Sequence, residues 1–230
     1  MTAVPPSQHG HDPGPSGTRP ERLVVVAGTG TEIGKTWVAA QVLQGLRAAG
    51  APVAARKPAQ SFDPADAETD AHLLGAASGE DPTSVCPPHR WYEVPMAPPM
   101  AAEVLGRPAF TIADLVAEIH WPWPRPRVAM VETAGGVRSP LAADGDSITL
   151  VEALRPDVVV VVADAGLGTI NAVRLTVEAL ERSSHQARLI VHLNRFDEQV
   201  ELHRRNRQWL ADQAGLEVVT AISGLVGRLT

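Results

Sequence analysis

The stretch that most constrains the fold lies near the start of the chain. An apolar run at residues 24–27 (VVVA) predicts a buried strand, and a turn rich in Gly and Thr follows it. The turn ends in Gly34-Lys35-Thr36, and residues 37–49 then have the pattern of a helix. A strand, a glycine-rich turn and a helix in this order are typical of a phosphate-binding loop, which we predict at residues 28–36.

In such a loop the backbone N–H groups and the start of the helix point at one anion. We expect Lys35 to reach the β- and γ-phosphates of a nucleotide, and the hydroxyl of Thr36 to lie on Mg²⁺. The usual pattern has a glycine five residues before Gly34, where this chain has Thr29. The alternative is an ordinary glycine-rich turn that binds nothing.

The 230 residues are 44% hydrophobic and 20% charged, with a net charge of −6. This length suffices for one α/β domain with a core, and the acidic balance argues against nucleic acid or a membrane surface as partner. The single cysteine, Cys86, excludes an intrachain disulfide and suits a reducing cytoplasm. No apolar run approaches the roughly 18 residues of a membrane helix. We therefore expect a cytoplasmic protein.

Residues 1–21 are rich in Pro, Gly and Ser and lack apolar residues that could form a core. This composition is typical of a disordered tail, and it has no secretory pattern. We predict a disordered tail over residues 1–21 and a single domain over residues 22–230.

Apolar strands alternate with helical segments along the rest of the chain. Strands are predicted at residues 52–57, 128–131, 157–163, 188–193 and 217–220, and helices at 70–77, from 98, at 111–120, 147–154, 168–182 and 200–214. The many prolines of residues 81–100 predict a long loop. The alternation predicts a three-layer α/β fold, a mostly parallel sheet with helices on both faces.

Ligands of such sheets bind beyond the carboxyl ends of the strands. Glu132 stands at one of these ends, so its carboxylate should face the phosphate-binding loop. With Thr36 and a second carboxylate it could hold Mg²⁺, which prefers hard oxygen ligands. Asp70 is our first choice for the second carboxylate because it opens a predicted helix, and Asp66 and Glu68 remain alternatives. A surface ion pair is the competing interpretation of Glu132.

Lys57 ends the second predicted strand and should reach the same edge of the sheet. A second lysine beside a γ-phosphate would neutralise the charge that spreads during phosphoryl transfer. The alternative is a lysine that extends from a strand end into solvent. Ser61, four residues further on, could donate to a substrate or could cap a turn.

Two further segments lie at predicted strand ends. Gly168-Thr169-Ile170-Asn171 opens a helix whose free N–H groups would suit a substrate carboxylate, although Thr169 could simply cap that helix. Asn194 and Asp197 resemble the N-K-x-D motif with which GTPases read the base, but Arg195 replaces the lysine. We keep only Asn194, as a contact with the nucleotide base.

Together these motifs resemble those of dethiobiotin synthetase, an ATP-dependent ligase of biotin synthesis in the P-loop NTPase superfamily. The matching elements run from Leu23 to about Asn194: G-T-x-T-E-x-G-K-T, K-P-x-x-S, V-E-x-A-G-G with Pro-Leu soon after, and G-x-x-N before a helix. The resemblance implies the P-loop NTPase fold and a homodimer with the substrate carboxylate near its two-fold axis.

The resemblance also implies a reaction, in which diaminopelargonate, CO₂ and ATP give dethiobiotin, ADP and phosphate. One amine captures CO₂ as a carbamate, ATP phosphorylates the carbamate, and the second amine closes the ring. The implied residues are Lys57 and Lys35 for catalysis; Thr36, Asp70 and Glu132 for Mg²⁺; Glu32, Ile33, Gly34, Lys35, Thr36, Trp37, Glu132, Thr133, Ala134 and Gly135 for the nucleotide, with Asn194 added from the motif above; and Ser61, Gly168, Thr169, Ile170 and Asn171 for the substrate.

Three features depart from the family pattern. Thr133 and Phe62 stand where relatives usually carry glycine, and the Pro-containing adenine loop expected beyond Asn194 is missing. These departures leave the preferred nucleotide open. Two other functions also remain: a partitioning ATPase of the ParA/MinD type, although the early lysine of K-G-G-x-x-G-K-T is absent, and a degenerate relative that binds nucleotide as a regulatory partner.

Overall fold

The structure is a computed structural model, and it describes residues 18–183 and 187–230. Its strands are β1 (Arg22–Gly28), β2 (Val53–Arg56), β3 (Gln60–Ser61), β4 (Trp91–Tyr92), β5 (Val128–Glu132), β6 (Pro140–Ala142), β7 (Gly145–Asp146), β8 (Val158–Asp164), β9 (Arg188–Asn194) and β10 (Val218–Val219). Its helices are α1 (Lys35–Ala48), α2 (Asp70–Ser78), α3 (Pro82–Val85), α4 (Pro98–Val104), α5 (Ile112–Ala117), α6 (Ser147–Leu154), α7 (Thr169–Glu181), α8 (Glu201–Asp212) and α9 (Ile222–Leu229), with a 3₁₀ turn at Pro88–Arg90.

Six strands form one parallel sheet in the order β10-β9-β8-β1-β5-β2. The two valine-rich strands β1 and β8 pair at its centre, where Val24 lies opposite Val158. Their apolar side chains are buried on both faces, which is typical of parallel strands covered by helices on both sides. The predicted three-layer α/β fold is confirmed.

Different helices cover the two faces of the sheet. Because side chains alternate along a strand, Val24 and Val26 of β1 pack with α1, α2 and α9, whereas Val25 and Ala27 pack with α4, α5, α6 and α7. The carboxyl end of β1 is therefore fixed from both sides. The glycine-rich turn that follows it starts from a rigid base.

The prediction of a long loop over residues 81–100 is wrong. The segment contains α3, the 3₁₀ turn, β4 and the start of α4, and each helical piece has a proline in its first turn. Proline is tolerated there because the N–H that it lacks would have no partner within the helix. The segment also holds the end of β2, since the Lys57 N–H donates to the Val85 carbonyl at 2.8 Å.

The domain makes contacts before the predicted boundary at Arg22. Arg19 donates to the Leu154 carbonyl at 2.8 Å, and Arg125 donates to the Arg19 carbonyl at 2.7 Å. Residues 1–17, the rest of the predicted tail, lie outside the described residues. Within the described part of the chain, none of the helices has both the length and the apolar character needed to span a membrane.

His192, a buried histidine on β9, makes the folding stability of the protein depend on pH. It is 2% exposed, and its Nδ1 has no hydrogen-bond partner among the described residues. Burial lowers the pKa of His192 from its ordinary 6.5 to about 4, only partly offset by a backbone hydrogen bond at Val219. The unfolded chain therefore binds a proton at a higher pH than the folded protein does. Folding stability is retained above pH 6.5 and declines as the pH falls toward 4.

We expect the free energy of unfolding of the wild type to drop by about 2 kcal/mol between pH 7 and pH 5 through this residue. His192→Leu removes the titrating group and should lack that part of the loss. Urea denaturation at the two pH values measures the difference. His120→Leu, which removes an exposed histidine, is the control and should keep the wild-type profile. Equal losses in the wild type and His192→Leu would contradict the expectation.

Candidate active site

The turn between β1 and α1 has the backbone of an anion cradle. Gly34 precedes α1 with a φ of 90°, and Glu32 has a φ of 58°. Left-handed residues among right-handed ones turn successive N–H groups toward one point. Lys35 is buried, and its Nζ donates to the Gly30 carbonyl at 2.7 Å, so the lysine folds back over its own loop. Burial, and then the nearby Lys57 ammonium, lower the pKa of Lys35 to about 8.

Four residues from four elements meet beside this loop. Thr36 Oγ1, at the start of α1, lies 2.8 Å from Asp70 Oδ1 and 2.9 Å from Glu132 Oε1. Lys57 Nζ, just after β2, lies 2.7 Å from Asp70 Oδ2 and 2.6 Å from Glu132 Oε1. The four residues predicted separately at strand and helix ends form one contact cluster, which we call the lysine–carboxylate cluster (Thr36, Lys57, Asp70 and Glu132).

The inner part of the cluster is closed to water, since Lys57 is 2% exposed and Glu132 1%, whereas the Asp70 side chain is 35% exposed. Burial by itself lowers the pKa of Lys57, but the carboxylates of Asp70 and Glu132 outweigh it and hold the pKa above its usual value. Burial raises the pKa of Asp70, but its contacts with Lys57 and Thr36 hold it below its usual value. Lys57 is therefore a fixed cation at neutral pH.

The oxygen atoms of the cluster fit a divalent cation. Glu132 Oε2 is buried and has no hydrogen-bond partner among the described residues, which is costly unless a ligand faces it. Two carboxylates and one hydroxyl are hard donors of the kind that Mg²⁺ prefers, and so few protein ligands suit an ion that keeps waters and phosphate oxygens. The described residues contain no group of three or more His, Cys, Asp or Glu side chains arranged to hold a metal ion.

The other candidates for the second carboxylate lie elsewhere. Asp66 accepts from the Asp63 N–H in a local turn, and both Asp66 and Glu68 are exposed. Of the three acidic residues that the sequence left open, the structure places only Asp70 in contact with Thr36 and Lys57.

Asn194, at the end of β9, contacts the phosphate-binding loop. Its Nδ2 donates to the Ile33 carbonyl at 2.9 Å, and a Cβ added to Gly34 would lie 2.2 Å from the same atom. Arg195 donates to the Glu32 carbonyl at 3.0 Å. Sequence reasoning expected Asn194 to contact the base and missed the contacts of both residues with the loop. We call these two contacts of residues 194–195 the tether, since they connect the end of β9 to the turn at the carbonyls of Ile33 and Glu32.

The remaining predicted nucleotide residues surround the loop. Trp37 follows Thr36 and is half exposed. Thr133, Ala134 and Gly135 follow β5, and the next residue packs on the glycine-rich turn, since a Cβ added to Gly136 would lie 3.5 Å from the Thr29 carbonyl oxygen.

The predicted substrate residues fall into two places. Ser61 lies in β3, four residues after Lys57, and its buried Oγ has no hydrogen-bond partner among the described residues. Gly168, with a φ of 89°, precedes α7, and the Thr169 hydroxyl donates back to the Asp164 carbonyl at 2.5 Å instead of capping the helix. Ile170 and the exposed Asn171 follow it. Across residues 18–183 and 187–230, no hydrogen bond or ion pair joins this helix start to the cluster.

Comparisons with known proteins identify the family. The family model AAA_26, described as an AAA domain, matches residues 22–225. An ATP-dependent dethiobiotin synthetase BioD of Anaeromyxobacter dehalogenans (strain 2CP-C) is 42% identical over 163 residues, which cover 70% of this chain and 71% of the relative. The chain belongs to the dethiobiotin synthetase family. Another member, from Rhodococcus jostii (strain RHA1), is 35% identical over 209 residues, which cover 90% of this chain and 88% of the relative.

A solved structure agrees on the fold. A nucleotide-binding protein of Archaeoglobus fulgidus, solved in complex with ADP, has a TM-score of 0.51 and 13% sequence identity, and the match covers 91% of this chain and 85% of that one. At this identity the likeness concerns the fold alone. It agrees with the α/β fold that the structure of this chain shows.

Gly34→Ala should weaken ATP binding through the loss of a contact, in addition to the backbone strain that alanine causes at this position. Gly34 and Gly50 have φ values of 90° and 80°, so alanine strains either position by about 1–2 kcal/mol. Only at Gly34 would the new Cβ displace Asn194 from Ile33, because no described atom lies within 4 Å at Gly50. We expect Gly34→Ala to bind ATP about tenfold more weakly, the effect of one lost hydrogen bond, and Gly50→Ala to bind normally. Calorimetric titration of both variants measures this, and equal affinities would show that the tether is unimportant.

Proposed function

We propose that this protein catalyses the ATP-dependent carboxylation and ring closure of 7,8-diaminopelargonate to dethiobiotin, with release of ADP and phosphate, in biotin biosynthesis. The curated relatives are ATP-dependent dethiobiotin synthetases. The observation that carries the proposal is the buried Lys57 ammonium, held between two carboxylates beside a preformed phosphate-binding loop. A partitioning ATPase of the ParA/MinD type is not favoured by these relatives.

The reaction must bring an anionic carbamate to the γ-phosphate of ATP. An amine nitrogen attacks CO₂ and loses a proton, and a carbamate oxygen then attacks the γ-phosphorus while ADP leaves. The second amine attacks the carbonyl carbon of the resulting anhydride and loses a proton, and phosphate leaves as the ring closes. Since two anions must meet, positioning and positive charge that is already in place are the main help that the protein can give to this step.

The two lysines supply that charge from different directions. Lys35, in the loop, holds the β- and γ-phosphates in the ground state. Lys57 meets the carbamate and the transferring oxygens, because it enters from β2 and is already desolvated and cationic. When bound, Mg²⁺ neutralises charge on the phosphates. Thr36, Asp70 and Glu132 would hold the ion.

The substrate would lie across the two places where its predicted contacts are found. Ser61, whose buried Oγ has no partner among the described residues, can donate to the carbamate or accept from an amine. The start of α7 would offer the N–H groups of Ile170 and Asn171 and the Asn171 side-chain amide to the substrate carboxylate, whereas the Thr169 N–H donates to the Gly166 carbonyl at 3.3 Å. A long-chain substrate with its reactive amines at one end and its carboxylate at the other suits two separate anchors.

Dethiobiotin formation tests the proposal directly. Wild-type protein supplied with diaminopelargonate, bicarbonate, Mg²⁺ and ATP should form dethiobiotin. Lys57→Met should bind ATP within a few-fold of wild type but lose about 10²–10⁴ in kcat, as expected when one fixed charge that acts in the transition state is removed. Lys35→Met should weaken ATP binding as well as turnover, because Lys35 also contacts phosphate in the ground state.

Lys57→Arg is the sharpest control in this series. It keeps the charge, but a planar guanidinium cannot replace a point charge between Asp70 and Glu132, so it should restore little activity. Calorimetric ATP binding and steady-state rates are measured for all three variants. If the wild type binds ATP and forms no dethiobiotin, the regulatory alternative is favoured. If Lys57→Met turns over normally, the role of Lys57 is wrong.

We also propose a homodimer whose interface includes residues 166–182. Leu167 is 92% exposed and Leu175 59% exposed, on either side of the proposed carboxylate contact Asn171. The support for this interface is that two large apolar side chains are exposed in the segment that carries the proposed carboxylate contact, since exposed apolar surface can mark an interaction site. Light scattering at micromolar concentration should give twice the chain mass, and Leu167→Asp with Leu175→Asp should shift it toward the monomer. A monomer mass for the wild type would contradict the proposal.

We also propose a cytoplasmic location. It is supported by Cys86, which is buried and forms no disulfide.

A further inference from the structure

Gln60 is a buried amide, 1% exposed, between Lys57 and Ser61. Its Oε1 accepts the Ala71 N–H at 2.9 Å, and its Nε2 donates to Thr69 Oγ1 at 3.2 Å. These two partners are the neighbours of Asp70 in the chain. We propose that Gln60 is a positioning residue that fixes Asp70 in the cation site, an inference that rests on the proposed role of Asp70 as a metal ligand.

The hydrogen bonds require an amide at this position. The Ala71 N–H belongs to the first turn of α2, where backbone N–H groups have no partner within the helix, and it can only donate. It therefore fixes the Gln60 oxygen on its side and turns Nε2 toward the Thr69 hydroxyl. Only a side chain with an acceptor and a donor on one carbon makes both contacts without adding charge.

Gln60 joins the two segments that must be aligned for the cluster to form. Its own segment carries Lys57, and the helix that it holds begins with Asp70. The distance of 2.7 Å between Lys57 Nζ and Asp70 Oδ2 depends on both segments. The Asp70 side chain is 35% exposed, against 1% for Glu132, so less of the surrounding protein restrains it. Packing therefore restrains the Asp70 carboxylate less than the Glu132 carboxylate, and a neighbouring side chain is needed to position it.

The helix itself does not depend on Gln60. His72 Nδ1 accepts the Thr69 N–H at 3.2 Å, and the His72 ring packs edge-on against Trp91 at a centroid distance of 5.3 Å. Ala71 and Leu74 anchor α2 in the core against α1. Loss of the Gln60 amide should therefore leave α2 folded and displace mainly its first residue, which carries the Asp70 carboxylate.

Binding of Mn²⁺, used as a probe for the cation, tests the inference without measuring activity. Free Mn²⁺ is measured by electron paramagnetic resonance in titrations of the full-length protein with a non-hydrolysable ATP analogue. Gln60→Met keeps the size of the side chain and removes both hydrogen bonds. We expect its Mn²⁺ affinity to fall about 10–100-fold, as when residues that orient metal ligands are replaced, and its affinity for the analogue alone to stay within about threefold. An Mn²⁺ affinity within twofold of wild type would overturn the inference.

Asp144→Ala is the matched control for a loosened helix start. Asp144 Oδ1 accepts the Ile112 N–H at 2.8 Å at the start of α5, a contact of the same kind in another helix. This variant should lose stability and keep its Mn²⁺ affinity. If Asp144→Ala weakens Mn²⁺ binding as much as Gln60→Met does, the effect of Gln60 is general loosening and the inference fails.

Asp70→Asn separates this inference from the proposed function. It should weaken Mn²⁺ binding by itself, and Gln60→Met added to it should cause no further loss, because the amide acts through Asp70. If Asp70→Asn weakens binding and Gln60→Met does not, only the positioning role is wrong. If Asp70→Asn leaves Mn²⁺ binding unchanged, the proposed metal site is itself wrong. Additive losses would mean that Gln60 acts by another route.

Discussion

The buried contact of Lys57 with Asp70 and Glu132 is the interaction on which the site depends. Desolvating ions costs several kcal/mol for each one, and mutual attraction recovers this only when the geometry is good. Here both contacts of the ammonium are under 3 Å, and the Thr36 hydroxyl lies against the same carboxylates. Such a cluster adds little net stability compared with apolar packing. In the proposed reaction its value would be that a cation is already desolvated and in place where two anions must meet.

The sheet order explains why these groups meet. β1 is the first strand in the chain but lies at the middle of the sheet, between β8 and β5. The chain leaves β1 into α1 on one face of the sheet, whereas it leaves the neighbouring β8 into α7 on the other face. This divergence leaves a crevice at the carboxyl ends of the two strands, the usual ligand position in open α/β sheets. Val26 of β1 pairs with Glu132 of β5, so the carboxylate stands directly beside the phosphate-binding loop. Strand register thus brings Glu132 to the loop, and the starts of α1 and α2 bring Thr36 and Asp70 to the same place.

The fold and the residues of the cluster could be predicted from the sequence because each depends on a pattern of neighbouring residues. A β-branched run and a glycine-rich turn specify β1 and its loop, and Ser147–Leu154 forms the predicted helix at its predicted bounds. Lys57, Asp70 and Glu132 each end or begin a regular element, and parallel topology then brings them to one edge. The contacts that were missed are tertiary. Nothing near Asn194 in the sequence indicates that it bonds to Ile33, which lies 161 residues away.

Thr133 and Phe62, which we expected to depart from the family pattern, can be assessed from the contacts that they make. Thr133 is fully buried, and Lys57 contacts its carbonyl oxygen at 3.3 Å, an atom that a glycine at this position would also offer. Compared with glycine, threonine here adds a side chain without removing a contact from the cluster, and its Oγ1 is buried with no hydrogen-bond partner among the described residues. Phe62 packs edge-on against Trp91 at 6.3 Å, the ring that also supports His72 at the start of α2. Both side chains are uncharged and leave the cluster contacts in place, so any effect that they have falls on the shape of the site and not on its charge.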